Sequence, residues 1–472
     1  MHVTFRATLL LALTTALAIP ASTPATAQAA PPAKNTDFNG DGYNDLAVGS
    51  PSYPGPAGSA TSGLITVLYG GPNGLSGHDL ARPEPDCVIS HAEGPAPCAR
   101  WGSALISADL EGDGRRELIS AGEQDIQVYS LTTGGLSLRR TAGIVGGYSH
   151  YAGGLAAGQM DTDPKTDIAA AWRLPYHGST GGWYNGGPPE AADALPGTQS
   201  SVHTAATGRL NGDDILEMVA VTSPHGPNWY DTKLVYISDI RTPSATPYVM
   251  GSQAACGSTA PTAQACPKHD SKLAVGRVNG DGYDDLVMVT PSTGTINVWY
   301  GSYYGAGVTY PAFTARALPW LTGLSHNRIS LAVGDINGDG AAEIAIGAPE
   351  ADASGHYKAG LVALVPGSRS GPQTAGVRLI SQDGDSADPA ADPVPEQSAP
   401  GDGFGTAVSI LDVTGDGKGE LLVGAPGKNA RRGMLTLLPG TATGAFPAAQ
   451  IVHAQDVGAI EPAARFAGAL PQ

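Results

Sequence analysis

The chain has 472 residues, among them 65 glycines and 38 prolines, with 6% aromatic residues and a formal net charge of −17 at pH 7. That charge excludes a phosphate-neutralising nucleic-acid binder, which needs a surplus of Lys and Arg, and it argues against simple docking on anionic lipid. The glycine and proline content points to a turn-rich chain without long amphipathic helices.

The first element reads as an export signal. His2 and Arg6 open it, the apolar run from Thr8 to Ile19 is too short to cross a bilayer, and Ala27-Gln28-Ala29 offers the small-x-small pattern of a cleavage site. A signal peptide over residues 1–29 and a secreted, extracellular mature protein are expected, with the propeller described below over residues 30–472. No later segment has 18 consecutive apolar residues, so no membrane span is expected. The cysteines form two close pairs, Cys87 with Cys98 and Cys256 with Cys266. Four cysteines in an oxidising compartment allow three pairings. The local one is expected, because each pair sits in its own Pro- and Ala-rich loop, and such a closed loop is worth about 2.7 kcal/mol in the chain-entropy model.

A nine-residue unit then recurs seven times along the chain: Asp, x, Asn, Gly, Asp, Gly, two further residues and an acid, followed by an apolar run. It starts as Asp37-Phe38-Asn39-Gly40-Asp41-Gly42-Tyr43-Asn44-Asp45 and returns at Asp109–Glu117, Gln159–Asp167, Arg209–Glu217, Arg277–Asp285, Asp335–Glu343 and Asp412–Glu420, at steps of 50 to 77 residues. A short apolar stretch precedes the copies, as in Ile329 to Val333, and another follows, as in Ile344-Ala345-Ile346-Gly347. A β-rich run such as Leu64 to Tyr69 comes next. Short runs bounded by Gly, Pro and Asp predict strands. Apolar strands without clean alternation are buried on both faces. Three to four strands per repeat, seven times over, predict an all-β seven-bladed propeller.

Phe404-Gly405 before the last copy and Gly424-Ala425-Pro426 after it resemble the two signatures of the FG-GAP repeat; Gly347-Ala348-Pro349 matches and Gly49-Ser50-Pro51 nearly does. These repeats are similar to those of the propeller of integrin α subunits and of exported bacterial proteins. The first copy lacks the preceding aromatic-Gly segment. The chain ends on Arg465-Phe466-Ala467-Gly468-Ala469-Leu470, which matches Arg100-Trp101-Gly102-Ser103-Ala104-Leu105. The C-terminus is therefore expected to supply the missing strand of the first blade and to close the ring.

The loops carry the chemistry. Calcium takes six to eight oxygen ligands in a flexible cage, and a tight loop can supply them from positions one, three, five and nine and the carbonyl at seven. Glycines at four and six permit the sharp turn. Bound calcium is expected in four loops. The first offers Asp37, Asn39, Asp41 and Asp45 with the carbonyl of Tyr43. The second offers Asp109, Glu111, Asp113 and Glu117, the sixth Asp335, Asn337, Asp339 and Glu343, and the seventh Asp412, Thr414, Asp416 and Glu420. EF-hand and dockerin loops are excluded, since position twelve falls on Val48 or Ile346 inside an apolar strand. An Asx-turn without an ion is the alternative. Copies four and five begin with Arg209 and Arg277; these loops are expected to be metal-free, each guanidinium sitting among Asp213 and Glu217 or Asp281 and Asp285 as a tethered cation.

No serine-hydrolase elbow, His-Glu-x-x-His or phosphate-cradling loop is present. Aromatic residues cluster instead in the third repeat (Trp172, Tyr176, His177, Trp183, Tyr184) and the fifth (Trp299, Tyr300, Tyr303, Tyr304). Such residues stack on sugars, anchor protein interfaces or pack between blades. The expected function is an extracellular, monomeric binding or adhesion module for glycan or protein. The alternatives are a polysaccharide-acting lyase or hydrolase on the same scaffold and a purely structural envelope component.

Overall fold

The computed structural model describes residues 36–54, 63–81, 100–110, 115–122, 125–132, 135–143, 151–158, 167–173, 181–184, 193–194, 200–212, 216–224, 232–237, 248–252, 267–303, 311–315, 318, 329–386, 394–459 and 461–471. The signal-peptide expectation and both cysteine pairs lie outside them, as do Glu111, Asp113, Asp213, Tyr176, His177 and Tyr304.

The fold is all-β. Among the described residues seven sheets follow one another along the chain, each an antiparallel meander whose strands pair in sequence order. The second strand of a sheet starts at or just after position nine of its loop: Leu46–Gly49, Glu117–Ala121, Asp167–Arg173, Glu217–Pro224, Asp285–Thr290, Glu343–Ala348 and Glu420–Ala425. The apolar run after each acid thus becomes a strand, and those of the fifth, sixth and seventh sheets are buried along their whole length. The first sheet has three strands because the strand before its loop is missing. The sixth has five, one more than expected, through the short hairpin Arg378–Ser381 to Gly384–Asp385. Among the described residues no helix is long and apolar enough to cross a membrane.

The core lies between sheets. The leading strand of each sheet packs against that of the next, from the first through to the seventh. Ala47, Ile65, Trp101 and Leu118 join the first sheet to the second, and Val289, Ile296, Ile344 and Val365 the fifth to the sixth. One cluster joins the seventh sheet to the first: Leu422 and Leu435 pack with Leu46, Leu64 and Leu68, and Phe466 and Leu470 sit among them.

The two signature motifs interlock at these seams. Phe404 bridges Gly360 of the preceding sheet, Trp101 bridges Gly63, and Phe466 bridges Gly433, all three in parallel. The glycine of each Gly-Ala-Pro segment faces the residue after the next aromatic. A Cβ on Gly49, Gly347 or Gly424 would overlap the carbonyl oxygen of Gly102, Gly405 or Ala467. The chain end therefore occupies the position that Trp101 and Phe404 hold elsewhere. It meets the first sheet at one antiparallel bridge, Gly49 with Ala469, and does not run as a complete strand. The Gly49 N–H donates to the Ala469 carbonyl at 2.8 Å and the Ala469 N–H returns to the Gly49 carbonyl at 3.0 Å.

Meander connectivity sets two ends. The nine-residue loops and the third-to-fourth-strand connections leave at one end of every sheet. The second-to-third-strand connections and the links between sheets leave at the other.

Candidate metal centre

Among the described residues the loops are pinned first by their position-nine acids. Asp45 is fully buried and accepts N–H bonds from Phe38 at 2.8 Å, Asn39 at 3.3 Å and Gly70 at 3.0 Å. Asp285 accepts from Asn279 and Gly301, Glu343 from Ile336 at 2.8 Å, and Glu420 from Val413 at 2.8 Å and Thr414 at 3.3 Å. Burial of the carboxyl raises proton affinity, most strongly of all the influences present, against the backbone amides, which lower it. The pKa of Asp45 rises to about 6, and those of Asp285, Glu343 and Glu420 to about 7.

The position-one acid organises the turn. Asp37 accepts the N–H groups of Gly40 and Gly42, Asp335 those of Gly338 and Gly340, and Asp412 those of Gly415 and Gly417, at 2.6 to 2.9 Å. The position-four and position-six glycines of these three loops have φ between +72° and +92°, where a side chain is strained. Asn39 and Asn337 accept the position-five N–H, and Asp41, Asp339 and Asp416 accept the position-seven N–H. These are cascaded Asx-turns.

The seventh loop goes further. One carboxylate oxygen from each of Asp412, Asp416 and Glu420 lies within 4.8 Å of the others, the only such group among the described residues. Three like charges at that spacing, one buried, favour a cation between them. Lys418 supplies part of it, its Nζ 2.6 Å from Asp416. The donors are hard oxygens, and the Thr414 hydroxyl stands 3.4 Å from Asp412 and 3.3 Å from Glu420. This set fits calcium, with Asp412, Thr414, Asp416 and Glu420 as the holding residues. In the first and sixth loops the expected residues share a turn, but an Asn amide already answers an acid: Asn39 Nδ2 lies 3.0 Å from Asp41, and Asn337 Nδ2 3.2 Å from Glu343. In the second loop Glu117 accepts the Leu110 N–H at 3.0 Å.

The expectation for Arg277 is corrected. Its guanidinium does not sit among Asp281 and Asp285; Nε meets Asp284 Oδ1 at 3.4 Å. Asp284 is at position eight, and its other oxygen accepts the Arg209 N–H at 3.0 Å. Position eight belongs to the neighbouring sheet's loop. The Asp284 N–H donates to the Arg209 carbonyl, Ala342 to Arg277 and Gly419 to Asp335. At the seam between the seventh and first sheets the Asn44 side chain donates to the Asp412 carbonyl at 2.8 Å. Loops four, five, six, seven and one are thus chained by their first and eighth positions. No repeat of acids signals this, because position eight varies in type and in two of the four links, through Ala342 and Gly419, the bond comes from its backbone.

The aromatic clusters separate. Trp299 is fully buried, whereas Tyr303 is 76% exposed. Tyr248 and Tyr357 are also exposed. Trp172 and the pair Trp183 and Tyr184 lie on adjacent strands of the third sheet.

The FG-GAP repeat pattern matches residues 35–68, 327–365 and 404–438, so FG-GAP repeats are present in three places, covering the first, sixth and seventh loops. The chain is similar to phosphatidylinositol-glycan-specific phospholipase D of Bos taurus, 31% identical over 135 residues, which is 29% of this chain and 14% of that protein. The Homo sapiens protein is 38% identical over 84 residues, 18% of this chain and 10% of that one. The chain therefore spans a small fraction of these relatives. Among solved structures it is similar to an Agrocybe aegerita lectin that recognises non-reducing terminal N-acetylglucosamine. That likeness has a TM-score of 0.50 at 12% identity and covers 90% of this chain and 93% of the lectin.

Proposed function

We propose that this chain, built on FG-GAP repeats, is a secreted seven-bladed propeller that holds calcium in its loops and binds extracellular glycan. The ring is supported by the sheet-to-sheet packing that runs from first to seventh and by the core that the seventh shares with the first. Secretion rests on the signal-like residues 1–29. Calcium rests on the convergence of Asp412, Asp416 and Glu420.

The observation that carries the glycan reading is the exposure of tyrosine. Three of the four exposed large hydrophobic residues described are Tyr248, Tyr303 and Tyr357. A tyrosine ring presents a flat apolar face with a polar rim, which is what the face of a sugar ring requires. The likeness to a lectin across nearly the whole chain points the same way. A glycan array on calcium-loaded protein tests the proposal. Retention without turnover is expected. Release of shortened or unsaturated products would replace it with the enzymatic alternative, and no retained glycan would overturn it.

A further inference from the structure

The end of the sheets opposite the nine-residue loops carries a concentration of backbone strain and a group of exposed arginines. All nine described non-glycine residues with positive φ lie here, and six of them fall in two neighbouring segments: Asn429, Ala430, Arg431, Ala463, Arg465 and Ala467. Asn429, Ala430 and Arg431 are consecutive, a left-handed turn that L-residues avoid. The turn receives the closing segment. The Arg465 N–H donates to the Arg431 carbonyl and the Phe466 N–H to the Arg432 carbonyl, both at 2.9 Å.

Three arginines, Arg431, Arg432 and Arg465, thereby meet at one place, all exposed. None of them forms an ion pair among the described residues, although other cations do: Arg277 with Asp284, Arg378 with Asp385, Lys418 with Asp416 and Lys428 with Asp402. Lys428 immediately before the turn is consumed inward, between Asp402 and the Gln397 carbonyl. The three guanidiniums are left outside, side by side, in a chain of net charge −17. About half of the acids, 22 of 43, belong to the seven nine-residue units.

Tyr357, 65% exposed, lies on this same end. Its carbonyl accepts the Gly401 N–H at 2.9 Å, and the adjoining Asp402 carbonyl accepts the N–H of Gly427, which begins the arginine turn. An exposed ring and three unpaired planar cations on one continuous surface match a polymer that presents both sugar faces and anionic groups. Guanidinium bonds carboxylate and sulfate in bidentate fashion.

We propose that this surface binds an acidic polysaccharide, with Arg431, Arg432 and Arg465 holding its carboxylate or sulfate groups and Tyr357 stacking on a sugar ring. This rests on the glycan-binding reading and names its ligand class and place. The test is affinity of calcium-loaded protein for polygalacturonate, dextran sulfate, a neutral N-acetylglucosamine oligomer and anionic phosphatidylglycerol vesicles. The expected result is binding to one or both acidic polymers that weakens as salt is raised. Arg432 has an ordinary φ of −72°, so R432Q leaves the turn intact, and it should weaken that binding about tenfold. R369Q, on an exposed arginine of a connection at the loop end, should leave it unchanged. Polygalacturonate and dextran sulfate distinguish carboxylate from sulfate. Retention of the neutral oligomer alone overturns this inference and leaves the glycan-binding reading standing; retention of no glycan overturns both. Binding to vesicles alone, or unchanged acidic-polymer affinity in R432Q and in the folded triple variant R431Q/R432Q/R465Q, also overturns it.

Discussion

Replacing Gly347 with alanine tests the seam that joins the signature motifs. Its backbone does not need a positive φ, so alanine brings no conformational penalty of its own. The added methyl would overlap the Gly405 carbonyl oxygen and stand 2.9 Å from its carbonyl carbon. The obstacle is backbone of the next sheet, which no rotamer change can clear. The sixth and seventh sheets must part by about 1 Å, and a gap of that size forfeits a quarter to a half of the dispersion energy of each contact across it. The cost is about 3 kcal/mol, the upper part of the range for overpacked cores. Gly340→Ala is the control. It has φ +87° with nothing within 4 Å of a Cβ, so it loses only about 1 kcal/mol through the left-handed backbone. Urea melts in saturating calcium should rank wild type, then Gly340→Ala, then Gly347→Ala, with no change in slope. Gly347→Ala as stable as Gly340→Ala would show that the seam is loose and that the interlock does not hold the sheets together.

Other predictions follow from the loops. Without calcium, the position-nine acids bind protons more tightly folded than unfolded, since Asp285, Glu343 and Glu420 titrate at about 7 in the fold. Stability in chelator should therefore be greatest below about pH 4 to 5 and fall as pH rises through about 7, by about 3 to 4 kcal/mol per acid. Thermal melts in chelator that rise over that window would contradict this. Calcium should flatten the decline, and Asp416→Asn should lower the ion count by one in native mass spectrometry and remove about 1.4 kcal/mol of calcium stabilisation at tenfold excess over Kd. Arg277→Ala, removing a partly exposed pair, should cost no more than about 1 kcal/mol. Asp284→Ala, which also removes the carboxylate acceptor of the exposed Arg209 N–H, should cost about 1 kcal/mol more than Arg277→Ala. Equal losses in chemical denaturation would show that Asp284 does not tie the two loops.

The repeat made much of the fold readable before any coordinate. Position nine marks where each second strand starts, because an acid that accepts several backbone amides must sit where the loop meets the sheet. The aromatic-Gly and Gly-Ala-Pro motifs recur because they touch one another across a seam. The partner of Arg277 could not be read the same way, since Asp284 also serves Arg209 of a loop 75 residues earlier. Nor could the fate of Trp299: a strand buried on both faces hides an aromatic as readily as an aliphatic residue. The left-handed turn at Asn429 to Arg431 leaves no mark in composition, for no glycine stands there.

Closure of the sheets rests on the seam between the seventh and the first, and hydrogen exchange reads it amide by amide. The Gly49 N–H is bonded to Ala469, the Gly71 N–H to Val413 and the Phe466 N–H to Arg432. In the calcium-loaded full-length protein all three should be protected to the level of the inter-sheet core. In a chain ending at Ala463 the Gly49 amide should exchange freely, while amides between the fifth and sixth sheets keep their protection. Free exchange of Gly49 and Phe466 in the intact protein would contradict closure by the C-terminal segment.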